Sequence, residues 1–145
     1  MAKRKILTTP DPMLGMKSKV VEDFDARLHQ LLDDMAETMK DIGIGLAAVQ
    51  VGVLYRVAVL DDMNGGILEL VNPVIIKASK YKDGEEGCLS CPNVHVTKSR
   101  AQEITVKALD RNGKSFTMNM RGMLAVCAQH EIDHMDGITL VSEVS

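Results

Sequence analysis

Residues 123–135, MLAVCAQHEIDHM, form the stretch that decides the fold of this chain. Five of its residues recur at helical spacing and share one face: Met123, Val126, Cys127, His130 and His134. The pattern predicts a C-terminal helix over residues 119–135, with Gly137 closing it. Because the stripe is largely apolar, we expect this face to lie against the rest of the domain and to present both imidazoles there.

A second amphipathic helix is expected near the N-terminus. Its apolar side chains also recur at helical spacing: Phe24, Leu28, Leu31, Leu32, Met35 and Met39. Asp23 is the expected N-cap and Gly43 the expected stop, so the predicted helix covers residues 23–41.

Short strands are expected between the two helices, over residues 56–60, 67–71, 74–78, 103–109 and 114–118. Asn64-Gly65 predicts a hairpin turn between the first two strands, and residues 110–113 predict another between the last two. A polar turn is expected at residues 82–84. The order indicates a single α+β domain over residues 1–145, with antiparallel strands packed around the central C-terminal helix.

Composition places the chain among globular proteins. It has 145 residues, of which 46% are hydrophobic. No apolar run reaches the ~18 residues that a membrane helix needs, and the basic residues Lys3 to Lys5 are not followed by the apolar segment of a secretory signal. A net charge of −3 with mixed signs, and the lack of Trp, argue against a nucleic-acid surface. Three cysteines do not make a disulfide framework, so a cytoplasmic location is favoured.

Residues 130–134 read H-E-x-x-H on the predicted helix. Four residues advance a helix by about 6 Å and rotate about 40° past a full turn, so His130 and His134 project from one face and can hold one metal ion. Glu131 lies beside them and can take a proton from the water that the metal activates. The motif indicates a metal-dependent hydrolase. The alternative, that both histidines only pack or face solvent, is disfavoured by their place on the apolar stripe.

A catalytic metal usually has three protein ligands and one open position. The extended motif H-E-x-x-H-x-x-G-x-x-H fails because Leu140 occupies its last position, and Glu143 is the only glutamate beyond His134. The third ligand is therefore expected upstream, where a thiolate is the natural candidate. Cys88, within EGCLS at residues 86–90, can supply it.

Three segments together resemble the signature motifs of peptide deformylases: residues 43–50 (GIGLAAVQ), 86–90 (EGCLS) and 129–134 (QHEIDH). They occur in that family's order with similar spacing, and the resemblance runs from about residue 6 to residue 137. It implies removal of the formyl group from N-formylmethionine on nascent peptides. It also implies that one divalent metal, usually Fe(II) with Zn, Ni or Co as possible substitutes, is held by Cys88, His130 and His134.

The resemblance implies further roles around that metal. The Gln50 amide and the Leu89 backbone N–H would stabilise the formyl oxygen as it becomes an oxyanion, while Glu131 moves protons. Ile44 and Gly45 would pair with the peptide main chain. The methionine pocket would be lined by Ile44, Met123, Val126 and Cys127, although core packing explains the last two equally well. The expected partners are formylmethionyl nascent chains, with a transient ribosome contact, and the expected state is a monomer.

Two residues depart from the family pattern. His95 stands where the family often has an arginine, seven residues after the metal cysteine, and is a possible extra polar contact to the peptide. Cys91 stands where an aliphatic residue is common. If this segment is extended, residues three apart point to opposite faces, so Cys91 is expected to face away from the site and to be a bystander.

Three rival interpretations use the same residues. Residues 43–48 fit the dinucleotide fingerprint G-x-G-x-x-A, but that fingerprint must follow a strand and open a helix. Cys88, Cys91 and the two histidines make a Cys2His2 set for structural zinc, but their spacing is far longer than usual and closed coordination leaves Glu131 without a role. A generic metallopeptidase lacks the downstream ligand.

Overall fold

A computed structural model describes residues 2–140 of the chain. Its helices are α1 (Ala26–Met39) and α2 (Gly122–Met135), and its strands are β1 (Gly45–Ala47), β2 (Val57–Asp61), β3 (Ile67–Cys88), β4 (Cys91–Leu109) and β5 (Ser115–Arg121). Short 3-10 helices cover Pro12–Gly15 and Ala48–Val51. The strands form one antiparallel sheet in the order β1-β2-β3-β4-β5. The predicted α+β class with a C-terminal helix is confirmed.

Helix α1 follows from its sequence pattern. The Asp25 side chain caps it by accepting from the Leu28 backbone N–H at 3.1 Å. One face carries Leu28, Leu31, Leu32, Met35 and Met39, all buried in a cluster with residues of β1 and β2. Burying each such side chain contributes about 1.5–3 kcal/mol, so this face fixes the helix on the sheet.

Helix α2 lies against β1, β2, β4 and β5 and is buried on several sides. Gln129 fixes it to β4 because its amide accepts from the Ala101 N–H at 3.0 Å and donates to the Ala101 carbonyl at 2.7 Å. Gly137 ends the helical segment with φ of 76°, and a Cβ there would stand 2.6 Å from the Gly15 carbonyl oxygen. Glycine is therefore required where α2 meets the N-terminal segment.

Both helix boundaries differ from the sequence prediction. The N-cap of α1 is Asp25, not Asp23, and the helix ends at Met39. Helix α2 begins at Gly122, not at residue 119, because β5 continues to Arg121, which pairs with Glu103 of β4. The start of α1 is set by the Asp25 cap, and the start of α2 is set by the strand pairing of Arg121. The apolar stripe reveals neither.

The β3–β4 hairpin is much longer than predicted. The expected strands at 67–71 and 74–78 are one strand with two register shifts, one near Asn72, which has φ of 51°, and one between Ile75 and Lys77. The turn predicted at 82–84 is wrong, because Asp83 pairs with Ser99 and Gly84 with Lys98. The real turn is Leu89-Ser90, between Cys88 and Cys91.

Two other expectations are settled by these elements. The hairpin turns predicted at Asn64-Gly65 and at residues 110–113 do connect antiparallel pairs, β2 with β3 and β4 with β5. Residues 43–48 lead into a three-residue strand and a 3-10 helix, and they follow α1 instead of a strand. The dinucleotide-binding interpretation is therefore wrong.

Candidate active site

Three candidate metal ligands converge where the β3–β4 turn meets α2. One ligand atom from each of Cys88, His130 and His134 lies within 4.8 Å of the other two. Cys88 Sγ is 3.3 Å from His134 Nε2, and the two imidazole centroids are 5.0 Å apart at an angle of 64°. One turn of α2 thus supplies both rings, and the end of β3 supplies the thiol. Among residues 2–140 this is the one such group, and Cys91 does not belong to it.

The charges around the three ligands suit a divalent cation. Burial lowers the pKa of His134 to about 3, so its ring is neutral and available as a ligand. Burial also acts to lower the pKa of His130, but hydrogen bonds with Cys88 and Glu86 outweigh it and raise the pKa to about 10. The surroundings of His130 therefore stabilise positive charge. A sulfur and two imidazole nitrogens form a donor set that suits Zn, Fe and related metals.

A network of charged side chains, Glu86, Arg100 and Asp133, contacts His130 through its Nδ1 atom. His130 Nδ1 lies 3.1 Å from Glu86 Oε1, which leaves Nε2 for a metal. Arg100 donates to both oxygens of Glu86, at 2.9 and 3.0 Å, and to Asp133 Oδ2 at 2.6 Å. Burial would raise the pKa of Glu86, but the hydrogen bonds from His130 and Arg100 prevail and lower it to about 2. Glu86 is thus held as an anion against the ring.

The pKa of Glu131 is raised, whereas that of Glu86 is lowered. The Glu131 side chain is buried and, within the described residues, Oε1 has no hydrogen-bond partner. Burial raises its pKa to about 7, although His130 and Arg100 act to lower it. A Cβ at position 45 would lie 2.7 Å from Glu131 Oε2, so Gly45 is what allows the carboxylate to approach β1. A carboxyl group poised near neutral pH with an unused oxygen suits proton transfer.

The Gln50 amide is fixed beside Cys88. Its Oε1 accepts from the Ala47 backbone N–H at 2.9 Å, which directs Nε2 toward the β3–β4 turn. Nε2 donates to Ser90 Oγ at 3.1 Å and lies 3.8 Å from Cys88 Sγ. Leu89 is the first residue of that turn. The Gln50 amide and the backbone of Leu89 are therefore both close to Cys88.

A cavity of about 670 Å³ opens beside the three ligands. The predicted site residues that line it are Ile44, Gly45, Gln50, Cys88, Leu89, Met123, Val126, Cys127, His130 and Glu131. Ile44 and Met123 are exposed at its mouth, whereas Cys127 is buried. His134 does not line the cavity and is 1% exposed, so it would hold a metal from the inner side.

The two residues that depart from the family pattern, His95 and Cys91, differ in their exposure to solvent. His95 does not line the cavity, and its Nδ1 is 3.5 Å from Glu85 Oε1 in an exposed pair at the cavity rim. Cys91 is 1% exposed. Cys88 to Cys91 form a tight hairpin turn, not the extended segment from which Cys91 was expected to face away from the site. Glu143, considered as a ligand, lies outside the described residues.

Sequence reasoning missed Glu86, Arg100 and Asp133 as parts of the site. Glu86 and Asp133 lie inside two of the three quoted motifs, and that position was an available signal. Arg100 had none, because only the pairing of β3 with β4 brings it 2.9 Å from Glu86.

Comparison with known proteins gives one consistent result. The family model for polypeptide deformylase matches residues 3–145. A peptide deformylase from Caldicellulosiruptor bescii is 54% identical, over 99% of this chain and 87% of the relative. Peptide deformylase 1 from Bacillus subtilis is 44% identical, over 100% of this chain and 92% of the relative.

Solved structures agree with the sequence relatives. The crystal structure of a peptide deformylase from Legionella pneumophila superposes with a TM-score of 0.94 at 48% identity, covering 99% of this chain and 87% of that one. The peptide deformylase from Thermotoga maritima gives a TM-score of 0.93 at 34% identity, covering 98% and 97%. The similarity thus covers almost the whole chain.

Proposed function

Because the chain belongs to the polypeptide deformylase family and removes the N-formyl group from nascent polypeptides, we propose that this reaction takes place where Cys88, His130 and His134 converge. The family is metal-dependent. The convergence of the three ligand atoms within 4.8 Å, beside a cavity large enough for a peptide end, is the observation that carries the proposal.

The three residues would hold one divalent metal, Fe(II) in this proposal, with Zn, Ni or Co as substitutes. Such an ion lowers the pKa of water and polarises the formyl oxygen. Glu86 holds Nδ1 of His130 and fixes the ring orientation, so His130 would hold the ion through Nε2. Burial keeps the imidazole of His134 neutral, and a metal binding to His130 would displace the ring proton that the raised pKa of His130 favours.

Glu131 moves the protons of the reaction. With a pKa of about 7 and an oxygen that has no partner among residues 2–140, it can accept the proton of the attacking water. It can then return that proton to the departing α-amine of methionine. Both transfers need a carboxyl group that is not already paired, and this distinguishes Glu131 from Glu86.

Two donors stabilise the negative charge that develops on the formyl oxygen. One is the Gln50 amide, whose orientation is set by the Ala47 N–H. The other is the backbone N–H of Leu89. Donors fixed in advance cost no reorganisation during the reaction, and one such donor contributes about 3 kcal/mol.

The cavity accommodates the methionine side chain and the start of the peptide. Ile44, Met123, Val126 and Cys127 form its apolar wall, and Ile44 with Gly45 pairs with the peptide backbone at the edge of β1. We place the enzyme in the cytoplasm as a monomer of one catalytic domain, residues 1–145, in transient contact with the ribosome. No helix within residues 2–140 is long and apolar enough to span a membrane.

The test is an assay on anaerobically purified protein with metal analysis. A formyl-Met peptide should be hydrolysed and an N-acetyl-Met peptide should not. Cys88→Ala should lose tight metal binding, whereas Cys91→Ala, which also removes a thiol from the same turn, should keep the metal and a rate within a few-fold. If Cys91→Ala loses the metal while Cys88→Ala keeps it, the ligand assignment is wrong.

A further inference from the structure

Two cysteines flank the two-residue turn between β3 and β4. Cys88 ends β3 and Cys91 begins β4, with only Leu89 and Ser90 between them. They are partners in the antiparallel pairing of β3 with β4, just after the register shift between Gly87 and Cys88. Directly opposed residues of such a pair carry their side chains on the same face of the sheet. The two thiols therefore start from neighbouring positions on one hairpin.

The backbone spacing at this turn matches a disulfide. Opposed Cα atoms of an antiparallel pair are about 4.5–5.5 Å apart, and disulfides span Cα separations of about 4.4–6.8 Å. The Cα separation expected for the pair Cys88 and Cys91 therefore falls within the range that a disulfide spans.

The Cys88 thiol is more accessible to solvent than the Cys91 thiol, so Cys88 is expected to react first with an oxidant. Cys88 lines the cavity and is partly exposed, so a small oxidant can reach it. Cys91 is 1% exposed and needs to reach only Cys88. The third cysteine, Cys127, is on α2, and burial raises its pKa to about 12, which leaves it a poor nucleophile.

We propose that Cys88 and Cys91 form a redox modification site in which a peroxide oxidises Cys88 and Cys91 resolves the product as a disulfide. In the first step the Cys88 sulfur attacks one peroxide oxygen and the O–O bond breaks. The sulfur loses two electrons and becomes a sulfenic acid, while the other oxygen leaves with a proton as water or an alcohol.

In the second step the Cys91 sulfur attacks the Cys88 sulfur. The S–S bond forms, the S–O bond breaks, and the hydroxyl leaves with the Cys91 proton as water. The pair has then lost two electrons and two protons to one peroxide. Because a disulfide offers no thiolate, Cys88 can no longer hold a metal, but a thiol reductant restores it. Without Cys91, oxidation continues to the sulfinic acid, which thiols do not reverse.

The experiment compares wild type with Cys91→Ala and, as a control for the loss of a buried thiol, Cys127→Ala. Each metal-loaded protein is treated anaerobically with one equivalent and then with excess hydrogen peroxide. Free thiols are then alkylated, and the peptides are analysed by mass spectrometry. Metal content is measured before treatment, after it, and after dithiothreitol with fresh metal.

Wild type and Cys127→Ala should give a Cys88–Cys91 peptide lighter by two hydrogen atoms, and both should regain metal after reduction. Cys91→Ala should instead carry two or three added oxygens on Cys88 and should not regain metal. Equal oxygen addition at Cys88 in wild type and Cys91→Ala, or a Cys88–Cys127 link, would overturn the proposal. Metal loss relies on the proposed ligand role of Cys88, but the mass of the linked peptide does not. Untreated Cys88→Ala that still binds metal would thus refute only the ligand assignment.

Discussion

Two arginine clusters of the same composition occupy very different places in this molecule. The site cluster is Arg100 with Glu86 and Asp133, and its arginine side chain is 9% exposed. The surface cluster is Arg111 with Glu69 and Asp33, and its arginine is 31% exposed. Each arginine bonds both oxygens of a glutamate and one oxygen of an aspartate.

The difference lies in what each cluster touches. Glu86 accepts a further hydrogen bond from His130, whereas the hydrogen bonds of the Glu69 side chain among residues 2–140 come from Arg111. Burying charge is costly unless every partner is present, so the site cluster should be sensitive to any deletion. Half-exposed pairs contribute about 0–1 kcal/mol because water and salt screen them. The same chemistry therefore supports a metal ligand in one place and modest stability in the other.

The largest effect is expected from Arg100→Met. This change leaves the Glu86 carboxylate, 9% exposed, without its bidentate partner. Removing one partner of a buried pair costs about 3–5 kcal/mol. Chemical denaturation of wild type and variant at the same metal loading measures the loss. A decrease in the free energy of unfolding of less than about 1 kcal/mol would mean that the site cluster stabilises the fold no more than the surface cluster does.

An intermediate effect is expected from Glu86→Gln. The amide keeps the shape of the side chain but cannot hold His130 by a charged hydrogen bond. Changes to such supporting residues lower metal affinity about 10–100-fold. Competition with a chelator measures the affinity, and Glu69→Gln in the surface cluster is the matched control, with no change expected. Equal affinities for Glu86→Gln and wild type would remove Glu86 from its positioning role.

The smallest effect is expected from Arg111→Met. It should lower the free energy of unfolding by at most about 1 kcal/mol and leave metal content and deformylation unchanged. The hydrogen bond from His29 Nε2 to the Arg111 carbonyl should persist, since it uses only the backbone. Denaturation and the peptide assay check both points, and a loss of activity would show that the surface cluster also communicates with the site.

The sequence predicted the elements that are amphipathic on their own. Helix α1 and the β2–β3 and β4–β5 hairpins have apolar residues on one face, so periodicity locates them. The β3–β4 ribbon has no such face between residues 79 and 87, where most side chains are exposed. Its polar sequence therefore resembles a turn, and only pairing across it shows a strand.

The candidate site was predictable where short motifs carry the chemistry and unpredictable where folding assembles it. Helical spacing alone brings His130 and His134 together, and motif context points to Cys88. The contacts of Arg100 and the register of Cys91 depend on how β3 pairs with β4. That pairing includes a register shift next to Cys88, which local sequence patterns do not specify.

The proposed mechanism requires Glu131 to transfer protons without holding the metal. The direct measurement is the metal content and the formyl-Met peptide rate of Glu131→Ala, purified anaerobically beside wild type. Near-stoichiometric metal with a rate at least ~100-fold lower is the expected result for a lost general base. Loss of the metal together with the rate, or a rate close to wild type, would contradict the account.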